Sequence, residues 1–452
     1  MSTTAKIAKL IKDFKYESIP ERGVEQSKAA IIDSLGTALR SSEEPVAKAL
    51  QKIVLRRGGE EEASVWVTGQ KTSLSNAAMI NSVFMHCMDY DNGGSLGHPA
   101  AVMIPPALAL GERYHLSGKQ IIEAYAVAYE LGAKLRNSLG NLQFGAGYHA
   151  TSLLGVICAA AESAKLLGLS EEQIVMSMSI ASSMSSGLLQ SFGTDSKPIQ
   201  VARAAEGGVL AALLAQEGCV GDPNFLEERK GFYYVYGQEE ASIKQLTEHF
   251  GVPLAVATER GHFKQWACCG GNYEVLSALY DLLAERTIPV DQITFINIAT
   301  SMVPPGPAFR LHPRTAMEGR FSITYNTASC LIDGKVDLDT FTKEKFERPE
   351  VHALMNKISV VWHEECAGKP RRLQGESRFI VINIHMADGT VISRRQDASK
   401  RKQLTADQVY DKFEANALYA HMSPDKIGRV KSIVHSFEKC SDVAQLMELF
   451  EK

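Results

Sequence analysis

At 452 residues, with 45% hydrophobic and 22% charged side chains, the chain is long enough to bury more than one core and has the balance of an ordinary globular protein. A formal net charge of −4 and a pI near 6.3 leave no basic footprint for nucleic acid, and no uncharged apolar run is long enough to span a bilayer. Its eight cysteines form no CxxC pair and no leading apolar segment carries a basic flank, so a cytoplasmic protein with reduced thiols is expected.

Apolar residues at three- and four-residue spacings predict helices over 5–15, 23–40, 44–57, 73–88, 100–114, 117–135, 151–167, 170–189 and 199–217. Many are rich in alanine, which lets helices approach closely and argues for a compact bundle. In this half 64–67 reads as a short strand. After about residue 260 the pattern changes. Segments 292–301, 357–362 and 378–385 alternate apolar and polar positions and favour β-branched residues, and Asp388-Gly389 supplies a hairpin turn into 390–395. Helices are predicted at 272–286, 326–334 and 405–417, the last opening a helical tail. The expectation is an α+β fold, predominantly α, with a helical domain over 1–263, a smaller α+β domain over 264–395 and a C-terminal segment over 396–452.

The densest chemistry lies in Met85–Pro99, where His86, Asp89, Asp91 and His98 surround a break made by Gly93, Gly94 and Gly97. That turn brings carboxylate and imidazole within reach of each other. His98, His149, Lys197 and Tyr325 share a further trait: each stands at a predicted helix start, where unpaired N–H groups and a partial positive charge favour anions. Taken singly, each of these residues is as readily a cap or a packed side chain. Taken together they suit abstraction of a proton next to a carboxylate, with Arg203, Arg310, Arg314 and Arg320 as candidate clamps. His86, Asp89, Asp91 and His98 could also be donors to a divalent metal, but no HExxH, DxDxDG or paired-cysteine spacing accompanies them, and no metal is expected. No glycine-rich loop follows a strand in a nucleotide-binding pattern.

These residues, with AIIDSLGTALR at 30–40, Gly147-Tyr-His149, Gly193–Lys197, Arg203-Ala-Ala205, 225–232, the turn at 264–269 and Gly319-Arg-Phe-Ser-Ile-Thr-Tyr325, resemble the MmgE/PrpD family along nearly the whole chain. That family includes 2-methylcitrate dehydratase, cis-aconitate decarboxylase and iminodisuccinate epimerase. The resemblance implies a helical domain built from both chain ends, an inserted α+β lid domain, a homodimer, no cofactor and a small di- or tricarboxylate substrate. It places catalytic roles on Asp89, His98, His149, Lys197 and Tyr325; Tyr273, Arg203, Arg320 and Gly93 are the expected substrate contacts. His149 or Lys197 would be the base and Tyr325 the acid.

Three positions depart from the family pattern. Asn92-Gly93 stands where dehydratase and decarboxylase members carry Asp-Thr, Tyr273 stands at a frequent histidine, and Gln200 stands at another. The expected function is a lyase that dehydrates or decarboxylates a polycarboxylate. An epimerase of an amino- or imino-dicarboxylate is the first alternative, and an inactive carboxylate-binding homologue the second.

Overall fold

Several helix starts follow from local sequence. Ser117, Ser170 and Thr405 each stand three residues before a glutamine, and all three form reciprocal capping boxes with Gln120, Gln173 and Gln408. The computed structural model describes residues 1–450 apart from Ser95, 143–145, Glu240, 259–261, 302–309 and 367–377. It separates into two compact units, one of 1–189, 195–264 and 404–452, the other of 190–194 and 265–403.

The first unit is helical: α1 (Thr3–Asp13), α2 (Glu21–Ser41), α3 (Pro45–Leu55), α4 (Leu74–His86), α5 (Pro99–Arg113), α6 (Gly118–Ser138), α7 (Ala150–Leu166), α8 (Glu171–Ser182) and α9 (Ser196–Gln216). A small hairpin of β1 (Ala63–Val65) and β2 (Gln70–Thr72) pairs antiparallel between α3 and α4. Only the first of these strands is foreshadowed by the pattern at 64–67. Nearly every residue of α4 is buried, as are those of α7, because both run through the centre of the bundle. Close approach rests on small residues: a Cβ at Gly208 of α9 would lie 2.4 Å from the Ala159 Cβ of α7. The C-terminal helix Ala406–Tyr419 packs against α2, burying Val409, Lys412, Phe413, Asn416 and Ala417, one helical stripe that contains a lysine.

The second unit holds a four-stranded mixed sheet in the order β4-β3-β5-β6, from β3 (Ile293–Thr300), β4 (Ile358–Trp362), β5 (Phe379–Met386) and β6 (Val391–Asp397). β3 runs parallel to β4 and antiparallel to β5, and β5 pairs antiparallel with β6 through the Asp388-Gly389 turn. The helix Tyr273–Glu285 packs on β5 and β6.

Three expectations need correction. The helix predicted over 170–189 stops at Ser182, since a serine-rich run follows in which Ser182 Oγ donates to the Ser179 carbonyl, and Gly187 turns the chain at φ 126°. Lys197 lies inside the first turn of α9, and Tyr325 inside the first turn of the helix Ile323–Asp333, whose N-cap is Ser322. Neither residue precedes its helix.

Glu162, in α7, is fully buried, and neither of its carboxyl oxygens has a hydrogen-bond partner among the described residues. Burial alone pushes its pKa well above the ordinary 4.5. A group whose folded pKa is raised gives stability that is complete below the unfolded value and drains away as pH rises towards the folded one. Stability should therefore fall above pH 4.5 by up to about 1.4 kcal/mol per pH unit from this residue. Glu162→Gln removes that proton linkage. The variant should match the parent in chemical denaturation at pH 4.5 and exceed it at pH 8, and equal stabilities at both values would refute the assignment.

Candidate active site

The site is built where α4 ends. After His86 the chain turns through Cys87, the Asp89 amide donates to the His86 carbonyl at 3.0 Å, and Asp89 adopts a left-handed φ of 52°. A non-glycine residue held there reflects constraint from its surroundings. Gly93 then exchanges backbone hydrogen bonds with His262, and a Cβ on Gly93 would come within 2.4 Å of the His262 ring. The loop returns at His98, whose amide donates to Thr151 Oγ1 at 3.1 Å, tying it to the first turn of α7.

Asp89 is buried between two ammonium groups. Lys197 Nζ donates to one carboxylate oxygen and Lys264 Nζ to the other, both at 2.6 Å, and Lys264 also reaches the Asp89 carbonyl at 2.7 Å. Burial pushes the Asp89 carboxyl up, but Lys197 and Lys264 outweigh it and hold the group far below the carboxylate range. His98 Nε2 lies 3.4 Å from the same carboxylate.

Asp91 is the second anchor. Buried completely, it accepts from His86 Nδ1 and from His98 Nδ1, each at 3.0 Å. Burial opposes its ionisation, yet His98 and His86 hold it well below the usual value. Lys197 Nζ approaches His86 Nε2 at 2.8 Å. An ammonium can only donate, so His86 is the Nδ1–H tautomer, with its lone pair towards Lys197. Burial and then Lys197 lower the His86 pKa to about 4; burial also lowers that of His98, against Asp91.

His149 caps α7, its ring stacked 6.4 Å from that of His86. Burial and then Lys197 keep it neutral, well below the ordinary histidine value. Gln200 sets its tautomer. The Gln200 carboxamide oxygen accepts from the Leu188 amide at 3.1 Å, so its NH2 faces His149 Nδ1 at 2.6 Å. His149 Nδ1 is therefore the acceptor, and the ring proton sits on Nε2. In this state His149 presents a donor at Nε2.

The structure thus brings Asp89, His98, His149 and Lys197 together, where the N-termini of α5, α7 and α9 converge. It adds three residues. His86 stood out by spacing as a metal donor, Asp91 as a metal donor or a carboxylate within reach of His98, and Lys264 drew notice only as the start of a turn. The aromatic neighbours Phe263 and Trp266 are too weak a signal to mark Lys264 as buried. His86, Asp91 and His98 set donor atoms within 4.8 Å of one another. Both Nδ1 atoms nevertheless face Asp91 as hydrogen-bond donors, and two buried ammonium groups adjoin, which disfavours a divalent cation there.

The remaining candidates have local partners. Arg203 is more than half exposed and pairs with Glu206. In the second unit, Tyr325 is buried and its hydroxyl donates to the Thr340 carbonyl at 2.5 Å; burial raises its pKa to about 12. Tyr273 donates to the Trp266 carbonyl at 2.9 Å, Arg320 donates to the Ala267 carbonyl at 2.8 Å, and Arg310 and Arg314 both meet Glu318.

Two family models match the chain. The MmgE/PrpD N-terminal domain matches residues 5–244 and the MmgE/PrpD C-terminal domain residues 266–438. The chain belongs to the MmgE/PrpD family, and it is an enzyme of the lyase class. Human cis-aconitate decarboxylase is 26% identical over 467 residues, covering 100% of this chain and 95% of that protein. The cis-aconitate decarboxylase-like protein oryM of Aspergillus oryzae is 27% identical, with 99% and 97% covered. Cis-aconitate decarboxylase of Aspergillus terreus is 23% identical, with 99% and 95% covered.

Two predictions follow from the charges and tautomers. His86 has a folded pKa near 4 against 6.5 in the unfolded chain, so stability is complete above 6.5 and is lost as pH falls through that window, by up to about 1.4 kcal/mol per unit. The measurement is made in the Glu162→Gln background, which removes the opposing linkage of that residue, and denaturation midpoints that stay flat there from pH 6.5 to 4 would contradict it. Gln200→Leu removes the donor to His149 Nδ1, and imidazole nitrogen NMR should show His149 losing its fixed Nε2–H form.

Proposed function

We propose that this protein is a cofactor-independent carboxy-lyase that removes carbon dioxide from a small tricarboxylate of the cis-aconitate kind, working as a homodimer. Its catalytic groups are Asp89, His98, His149, Lys197 and Lys264. The observation that carries the reading is Asp89, buried between Lys197 and Lys264, with His98 Nε2 beside it. The names of the relatives favour loss of carbon dioxide over epimerisation.

Two carboxylates and two ammonium groups cancel, and burial favours the neutral form of each histidine, so the cluster by itself carries no net charge. A polyanionic substrate changes that balance. Its charge raises the proton affinity of the nearest imidazole, which makes His98 a proton donor only when substrate is bound. Three helix N-termini and the His149 Nε2–H group offer donors to substrate carboxylates. In the reaction the bond from carbon to the departing carboxylate breaks and carbon dioxide leaves. The electron pair passes into the conjugated remainder of the substrate, and a proton from His98 is added at carbon. Each turnover consumes one proton. Dehydration and epimerisation consume none.

A panel of di- and tricarboxylates, followed by NMR in deuterated water and by carbon dioxide release, tests this reading. We expect carbon dioxide release with one deuteron incorporated at carbon, unaffected by chelator. His149→Ala should lower turnover at least about a hundredfold while thermal unfolding stays nearly unchanged; Lys197→Ala should lower turnover as much and also lower the unfolding temperature, since it leaves the buried Asp89 carboxylate with one counter-charge. Full activity in both variants, or exchange without carbon dioxide release, would sink the proposal. Light scattering reads the dimer.

A further inference from the structure

The stripe that docks the C-terminal helix Ala406–Tyr419 on α2 contains Lys412, buried where an apolar side chain would be ordinary. Its ammonium lies 2.7 Å from Oδ1 of Asp33, itself 1% exposed in the middle of α2. The same ammonium donates to the Tyr90 carbonyl at 2.8 Å and sits 3.7 Å over the Tyr90 ring. The pair therefore grips the loop at Tyr90, the residue before Asp91, whose carboxylate orients His86 and His98.

Stability is a weak explanation for such a pair. Taking two charges out of water costs about as much as their attraction returns, and well-packed apolar replacements are often neutral or better. The geometry supplies another. Asp89 holds a left-handed backbone conformation immediately before Tyr90, and a loop under such constraint needs external anchors to keep its side chains aimed.

We propose that Asp33 and Lys412 are positioning residues, which hold the Tyr90 backbone so that Asp91 keeps His86 and His98 in their Nδ1–H forms. This rests on the cluster being the active site, but its first readout does not depend on turnover. The test is Asp33→Leu/Lys412→Met, which leaves no stranded charge, compared with Asp33→Asn/Lys412→Gln, which keeps an amide donor for the Tyr90 carbonyl. Imidazole nitrogen NMR on the parent should show protected Nδ1 protons on His86 and His98. We expect these to be lost in the Leu/Met variant and retained in the Asn/Gln variant. Where a substrate is turned over, kcat should fall about tenfold to a hundredfold in the first variant with KM within about threefold, and recover substantially in the second.

A folded Leu/Met variant with unchanged His86 and His98 spectra overturns the proposal, whatever its activity. A parent enzyme that releases no carbon dioxide from any tricarboxylate defeats the functional reading instead, and the spectra still decide this one. Should the Leu/Met variant fail to fold, Asp33→Asn/Lys412→Met takes its place, with the same two spectral outcomes.

Discussion

The active region depends on the neutralisation of one buried carboxylate. Asp89 lies away from water at the end of a wholly buried helix, where an isolated charge would be strongly disfavoured. Lys197 and Lys264 make it tolerable, and in doing so they fix much else. Lys197 must come from the first turn of α9, so that helix is held against α4. Lys264 must come from the end of the long connection after α9, so that connection is drawn back onto the loop. Removing either lysine strands a charge as well as a donor.

Around that anchor the hydrogen bonds leave little freedom in proton placement. Because Lys197 can only donate, His86 has to place its own proton on the far nitrogen, towards Asp91. Because Gln200 is fixed by the Leu188 amide, His149 carries its proton on the opposite nitrogen. Histidines a few ångströms apart thus hold different tautomers, one with its proton on Nδ1 facing a carboxylate and one with its proton on Nε2. Such an arrangement pre-organises donors and acceptors before substrate arrives, which is where an enzyme's electrostatic contribution is largest.

Much of the fold was legible because periodicity reports burial. The helices of the first unit lie within a few residues of their expected limits, and β3, β5 and β6 match their alternating patterns closely. The exceptions have local causes: the serine run after Ser182 competes for backbone hydrogen bonds, and Gln70–Thr72 is too short and polar to look like a strand. Within the site, Asp89, His98, His149 and Lys197 could be picked out because each sits beside a helix start or a glycine break. Lys264 and Lys412 could not. One follows a phenylalanine in a loop, the other occupies a core position of a charged amphipathic helix, and neither context marks a lysine as buried. A one-dimensional pattern shows which positions face inward; it does not show which buried charges find each other across more than a hundred residues.

Lys412 lies 40 residues from the C-terminus and grips a loop formed by residues 89–92. During synthesis that loop leaves the ribosome more than 300 residues before its anchor does. The segment matching the family's N-terminal domain, 5–244, contains neither Lys264 nor Lys412. Cut from the rest, it would carry most of the proposed catalytic side chains but neither the second counter-charge for Asp89 nor the clamp on Tyr90. Dividing the gene between the two family segments separates the loop from the lysine that clamps it. Recombination that exchanged only 266–438 would swap that clamp while leaving Asp89, His98, His149, Lys197 and Lys264 in place.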